Sequence, residues 1–294
     1  MNDIPALPCW LNGEAGTLQN AKVSVLDRGF IFGDGVYEVV PAYAGKPFRF
    51  AEHMGRLERS LAEMRIDNPM SREAWRSLVD ELVVRYAAYA GKPAQETDQL
   101  VYLQVTRGVA MRDHVMPAGV KPTVFAMSNR LYVYSAEERE KGVECFTADD
   151  FRWHKGHIKS LSLAGAVLAR QISADQGGNE TILFRDGFLT EAAAANIWVV
   201  KDGKVLGSPR DNLVLEGIRY GLIEQLCREA GVPFELRRVS RDEVFAADEV
   251  LVSSATKEVV PVTRIDGRPV GNGRPGPIYE KLYAGYQRAK QAAT

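Results

Sequence analysis

Four short turns constrain this chain more than any other feature. Ala44-Gly45-Lys46, Asp186-Gly187, Asp202-Gly203 and Asp266-Gly267 each separate two apolar or alternating runs. An Asp-Gly pair supplies the positive φ that a tight hairpin needs, so antiparallel strand pairs recur in both halves of the sequence. Helical patterns lie between the turns. Met54, Leu57, Leu61 and Met64 fall on one helical face, as do Trp75, Leu78, Val79, Leu82, Val83 and Tyr86. Further helices are expected over 161–174, 217–229, with Gly231 as its stop, and 277–290. Strands are expected over 100–106, 120–127, 197–200, 204–206 and 249–253. Ser240-Arg241-Asp242-Glu243 reads as a capping box. Hairpins outnumber strand–helix–strand units, so the fold class is α+β. Two domains follow: residues 1–129, a linker over 130–136, and residues 137–294.

With 294 residues and 46% hydrophobic content the chain can bury a large core. Its net charge of −1, with no Lys/Arg block, argues against a nucleic-acid partner. The densest charge run, Glu137 to Lys141, mixes signs and reads as a solvated helix start. No apolar run approaches the ~20 residues of a membrane span, and Met1 to Pro5 does not read as a signal peptide. Cys9, Cys145 and Cys227 are odd in number and far apart. They suggest a reducing, cytoplasmic setting rather than a disulfide framework.

Several residues could carry chemistry. Lys159 stands at the entry to the expected 161–174 helix, before Leu161, Leu163, Ala164 and Val167. Such dry surroundings would disfavour the ammonium and make the amine a nucleophile; the bland alternative is a solvated lysine. Glu191 follows a hairpin and precedes Ala192 to Ala195, where the bland reading is a surface glutamate opening an alanine-rich helix. Arg56, in His53-Met54-Gly55-Arg56-Leu57, points away from most of the Met54/Leu61 face and could simply be solvated. Gly217-Ile218 opens a helix whose free N–H groups make a natural phosphate seat. Arg112-Asp113-His114 lies in a loop after the 100–106 strand. Gly33-Asp34-Gly35 begins like a dinucleotide fingerprint but has Glu38 where the third glycine belongs. His154 and His157 lack companion ligands, so no metal is expected.

The run Asp27-Arg28-Gly29-Phe30-Ile31-Phe32-Gly33-Asp34-Gly35-Val36-Tyr37-Glu38, with Lys159 and with Glu191 some 32 residues later, resembles the fold-type IV pyridoxal-phosphate enzymes. Within that family it is most similar to the D-amino-acid aminotransferases. The resemblance spans about residues 11–265. It implies a small N-terminal α/β domain and a larger C-terminal domain with a barrel-like sheet that carries the cofactor lysine. It also implies pyridoxal 5′-phosphate as cofactor, Lys159 as its covalent attachment and catalytic base, and Glu191 against the ring nitrogen. Arg56, Gly217, Ile218, Arg219, Ser254 and Ala255 would surround the phosphate. Tyr37, Arg112 and His114 would hold the substrate carboxylate, the last two supplied by the partner subunit of a homodimer.

The implied reaction passes an amino group from a D-amino acid such as D-alanine or D-glutamate to a 2-oxo acid such as 2-oxoglutarate. The rivals are a branched-chain aminotransferase, an aminodeoxychorismate lyase, and a silent binding protein of the same fold. The chain departs from the pattern at Arg219 and Ala255, where threonines are common, and at Ala192 to Ala195, which replace a serine-rich run. Arg219 would then either turn inward as a second cation for the phosphate or face solvent.

Overall fold

A computed structural model describes residues 4–293. The chain forms two compact units. The first holds the described residues up to Tyr132 together with Ile158–Leu163, and the second holds Val133–His157 and Ala164–Ala292. The change of unit after Tyr132 lies inside the 130–136 stretch expected to be a linker. The Lys159 segment, expected in the C-terminal domain, belongs instead to the first unit.

The first unit is built on a six-stranded antiparallel sheet of β1 (Pro8–Leu11), β2 (Glu14–Thr17), β3 (Gly35–Tyr43), β4 (Lys46–Pro47), β5 (Gln99–Thr106) and β6 (Thr123–Arg130), in the order β2-β1-β6-β5-β3-β4. Its helices are α1 (Arg28–Phe32), α2 (Phe50–Glu63) and α3 (Arg72–Tyr89). Alternation gives the sheet two faces. Val36 and Val40, Val101, Leu103 and Val105, and Val124 and Ala126 turn to the core. There they meet Met54, Leu57 and Leu61 of α2 and Trp75, Leu78, Val79 and Leu82 of α3. Truncating one of these leucines to alanine would cost roughly 2–5 kcal/mol. The strand expected over 120–127 runs three residues later, because Pro122 has no N–H to give the ladder and pairing opens at Thr123–Thr106.

The second unit contains α4 (Ala136–Lys141), β7 (Val143–Asp149), α5 (Ala164–Ala174), β8 (Glu180–Arg185), β9 (Phe188–Ala192), β10 (Asn196–Lys201), β11 (Lys204–Gly207), α6 (Ile218–Glu229), β12 (Phe234–Leu236), α7 (Arg241–Phe245), β13 (Glu249–Ser254), β14 (Glu258–Ile265), β15 (Arg268–Pro269) and α8 (Pro277–Ala293). The main path of its mixed sheet runs β12-β11-β10-β13-β14-β7-β8-β9, with β15 beside β14. β9 and β10 stand five places apart on that path, yet only Ala193–Ala195 join them, closed by Ala192 N donating to Ala195 O at 2.8 Å. The sheet must therefore curl, which gives the barrel-like form. The turn residues Asp186, Asp202 and Asp266 have φ of 51°, 50° and 49°, and the glycine after each is also positive, as tight hairpins require. Ser240 and Glu243 form the expected capping box on α7.

Two expectations fail locally. The helix expected from Leu161 begins at Ala164. Ser160 instead bridges to Val36 and Leu161 N donates to Gly35 O, so the backbone around Lys159 runs as an extended strip along β3. The mixed-sign run is a helix but is not wholly solvated: Arg139 is buried, with Nη2 donating to Glu258 Oε2 at 2.7 Å.

Candidate active site

Lys159 is fixed by its backbone. Its carbonyl accepts from Tyr37 N at 3.0 Å and its N–H donates to Ser60 Oγ at 3.2 Å. Its half-buried side chain places Nζ 4.2 Å from the centre of the Tyr37 ring. The close approach of this strip to β3 depends on Gly35, where a Cβ would lie 2.7 Å from Leu161 Cδ1 and 2.5 Å from Val105 O. The dry lining expected from Leu163 and Val167 is absent, since these residues are 37% and 64% exposed.

Arg56 is buried rather than solvated. Its Nε donates to Glu38 Oε1 at 2.6 Å and its Nη2 to Oε2 at 2.9 Å, a two-point pairing. His53 Nδ1 lies 2.8 Å from the same Oε2. Burial alone would raise the Glu38 carboxyl, but Arg56 and then His53 hold it well below the usual carboxylate range. Neither Glu38 nor His53 was marked from the sequence as a site residue. The signal was present: alternation along β3 puts Glu38 on the Val36/Val40 core face, where a carboxylate needs a cation.

Arg112 and His114 are exposed and meet around one ring. The Arg112 guanidinium lies 5.4 Å from the centre of Phe32, and the His114 ring centre lies 5.3 Å from it. Tyr37 packs instead against Tyr102, with ring centres 5.8 Å apart. The three expected carboxylate ligands thus fall into two groups within the first unit.

In the second unit Glu191 is a buried strand residue of β9, which removes the reading of a surface helix. Its Oε1 accepts from Arg152 Nη1 at 2.7 Å, and its Oε2 accepts from Asn196 Nδ2 and Leu215 N, each at 3.1 Å. Asn196 Nδ2 also donates to Leu215 O at 3.0 Å, so it ties Glu191 to the backbone before α6. Burial pushes the Glu191 carboxyl up to about 7, against the opposing pull of Arg152 and the Leu215 N–H. Arg152 divides itself, because Nε and Nη2 go to the two oxygens of Asp150 at 2.9 and 3.0 Å. Arg152 and Asp150 carry no motif of their own and were not marked from the sequence.

Gly217 caps α6. A Cβ there would sit 2.1 Å from Asn196 Oδ1, so only glycine lets the helix start approach the residue that holds Glu191. Arg219, in the first turn, is 1% exposed, which overturns the solvent-facing alternative. Its Nη2 donates to Ala255 O at 3.4 Å and its guanidinium lies 5.3 Å from the centre of the Tyr286 ring. Ser254 Oγ accepts from Lys257 N at 3.1 Å, closing the turn that contains Ala255. Ile218, Arg219, Ser254 and Ala255 are therefore linked within the second unit, as is Gly217 with Glu191 through Asn196. The buried carboxylate and a helix start with no side-chain cap suit a pyridine ring bearing a phosphate. No described helix is long and apolar enough to cross a membrane.

Comparison with known proteins gives the chain a family. The profile of the family described as amino-transferase class IV matches residues 35–265. The D-alanine aminotransferase of Bacillus licheniformis is 39% identical over 278 residues, covering 95% of each chain. That of Staphylococcus haemolyticus is 36% identical over 280 residues, covering 95% of this chain and 96% of its own. Among solved structures, a T.th. branched-chain amino acid aminotransferase with pyridoxamine 5′-phosphate aligns with a TM-score of 0.86 at 26% identity, covering 99% of this chain and 96% of the other. An Escherichia coli branched-chain amino acid aminotransferase aligns at 0.83 and 26%, covering 95% and 93%.

Proposed function

The chain belongs to the class IV aminotransferase family and is a pyridoxal-phosphate-dependent transaminase, and from that premise we propose that it acts on D-amino acids, with Lys159 and Glu191 as its central residues. The reading of a catalytically silent protein falls with the family assignment. When bound, the cofactor supplies an electron sink for the charge left on the substrate when its α-proton departs.

The residues divide the remaining work. Lys159 Nζ would be the attachment point of the cofactor and, once released, the base that takes the proton from the substrate Cα. Its strip along β3 holds the amine against Tyr37 before any substrate arrives. Glu191 would hold the proton on the ring nitrogen of the bound cofactor. The observation that carries this role is its carboxylate, fully enclosed yet gripped by Arg152 through one nitrogen alone. The α6 start at Gly217 and Ile218 and the Ser254–Ala255 turn would hold the phosphate; Arg56, which the family resemblance also assigns to it, pairs with Glu38 through Nε and Nη2. Arg219 supports that turn through the Ala255 carbonyl.

Arg112 and His114 take the substrate α-carboxylate, and the D-alanine aminotransferase relatives favour D-amino acids over the branched-chain amino acids in the structural neighbours' names. A homodimer fits the same loop region. Val25, Phe30, Met111 and Val115 are 72%, 71%, 78% and 73% exposed, a density of bare apolar side chains that a second copy would cover. Three buried free thiols suit a reducing cytoplasm.

A panel of D- and L-amino acids with 2-oxoglutarate tests the substrate reading. D-alanine or D-glutamate should react fastest, whereas a preference for L-leucine or L-valine would transfer the chain to the branched-chain rival. Borohydride reduction and peptide mapping should place the pyridoxyl group on Lys159, and a tag elsewhere would sink the mechanism. Lys159→Ala should fold and be inactive.

A further inference from the structure

Arg28 lies beneath the loop that carries Arg112 and His114. It is 3% exposed, whereas both loop residues face solvent. The stem of the loop is tied to the chain around α1 through the backbone: Arg28 N donates to Gly108 O at 2.9 Å, Ala110 N donates to Leu26 O at 3.3 Å, and Asp27 bridges to Val109. Farther along, Arg28 Nη1 donates to Asp113 O at 2.5 Å, the carbonyl that lies between Arg112 and His114 in the chain. The Arg28 guanidinium also lies 4.8 Å from the centre of Phe32, the ring that Arg112 and His114 both meet.

Arg28 is itself held. Its Nε donates to Asp34 Oδ2 at 2.7 Å. Asp34 does not need it for charge balance, because Arg107 already pairs with both Asp34 oxygens, Nε at 2.7 Å and Nη2 at 3.0 Å. Arg107 is anchored in turn to Met64 O at 2.7 Å and Arg65 O at 2.9 Å. Two buried arginines on one carboxylate leave a surplus cation, and a surplus buried cation is costly unless each of its donors is used. The second use here is the Asp113 carbonyl. The planar fork of an arginine can serve Asp34 and Asp113 at once, which a lysine ammonium cannot do in the same fixed geometry.

We propose that Arg28 is a positioning residue for the substrate-carboxylate pair: by spanning Asp34, the Phe32 ring and the Asp113 carbonyl, it fixes where Arg112 and His114 present their donors. This rests on the carboxylate role given to that pair above. Arg28 touches no substrate; it acts through the loop. The Asp34–Arg107 pair is the anchor, and Arg28 carries its rigidity out to an exposed tip.

The test uses holoenzyme of the wild type, Arg28→Met, Arg28→Lys, Arg112→Leu and the Arg28→Met/Arg112→Leu double variant. Arg28→Met keeps an apolar stem beside Phe32 and leaves Asp34 paired with Arg107, so the unit should fold and hold cofactor, checked by absorbance and thermal melting. Hydrogen exchange of the 109–116 segment should quicken in Arg28→Met, and unchanged exchange overturns the tether. KM for D-alanine should rise roughly fivefold with a smaller change in kcat, Arg28→Lys falling between the two. In the Arg112→Leu background the Arg28→Met effect on KM should vanish. An equal rise in both backgrounds would mean that Arg28 does not act through Arg112 and would overturn the proposal. If Arg112→Leu alone leaves KM unchanged, the carboxylate reading fails by itself, and the exchange rates still decide the tether.

Discussion

Glu38 in the first unit and Glu191 in the second are both buried glutamates gripped by an arginine, yet their carboxyls move in opposite directions. Arg56 closes on both oxygens of Glu38, and His53 is a second partner. Arg152 gives Glu191 its Nη1 and gives Nε and Nη2 to Asp150, whose own negative charge pushes the Glu191 carboxyl further up. Similar burial thus goes with two-point arginine pairing in one place and one-point pairing in the other. The first suits fixing a scaffold and the second suits holding a proton on a bound ring.

The largest effect that this contrast demands is on catalysis. Glu191→Gln keeps the shape and the Asn196 contact but cannot hold the ring proton, so kcat should fall by roughly 10²-fold or more. The matching Glu38→Gln should instead unfold the protein easily, because it leaves Arg56 buried without the carboxylate that neutralises it, at a cost of roughly 3–5 kcal/mol. Steady-state kinetics and urea melts of both variants check the pair. A Glu191→Gln enzyme of near-normal kcat would end the assignment, and a Glu38→Gln protein as stable as wild type would show the first cluster to be dispensable.

The pH dependence should separate the two sites by sign. Glu38 is depressed in the folded state, so its stabilisation is fully present above the unfolded carboxyl value near ~4.3 and is lost as pH falls toward its folded value. Glu191 is raised to about 7, so its favourable term is present below ~4.3 and is lost as pH climbs to about 7. For cofactor-free protein, wild type minus Glu191→Gln stability should therefore decline across that window, by an amount on the order of 3 kcal/mol, and level off above it. Wild type minus Glu38→Gln should be flat there and drop only in stronger acid. Chemical denaturation at stepped pH would reveal either slope, and equal slopes would cancel the contrast.

How far each cluster was legible follows from the range of its contacts. The hairpins, α2, α3 and the capping box are local patterns, and they fold as read because turn chemistry and periodicity act within a few residues. Lys159 and Glu191 stood out through motif resemblance. Their surroundings did not, since a single bridge, Ser160 to Val36, converts the expected helix entry at Leu161 into a strip along β3. No local propensity encodes a pairing across 124 positions. Arg152 and Asp150 were hidden for the same reason: their partners Glu191 and Thr190 in β9 lie 39 and 40 positions on, beyond β8. Glu38 is the instructive middle case, because the period-2 pattern of β3 already placed a charge in the core.

Arg219 tests the contrast at its weakest point, as a buried arginine that meets a carbonyl and a ring where Arg56 and Arg152 meet carboxylates. A 3.4 Å bond to Ala255 O is long, and the Tyr286 contact adds about 0.5–2 kcal/mol by itself. Two modes of action separate cleanly by substitution. If the charge serves the phosphate directly, Arg219→Lys should retain cofactor and Arg219→Met should lose it. If the side chain works by bracing the Ala255 turn and Tyr286, lysine fails nearly as badly as methionine, because an ammonium does not reproduce the planar stack. The geometry favours bracing, since Nη2 donates to a carbonyl of the protein itself. We expect both variants to raise the cofactor dissociation constant by roughly three- to tenfold in equilibrium dialysis against phosphate buffer, with a stability loss of about 1–2 kcal/mol. Retention kept by lysine alone would reverse that choice, and retention kept by both would remove Arg219 from the phosphate region altogether.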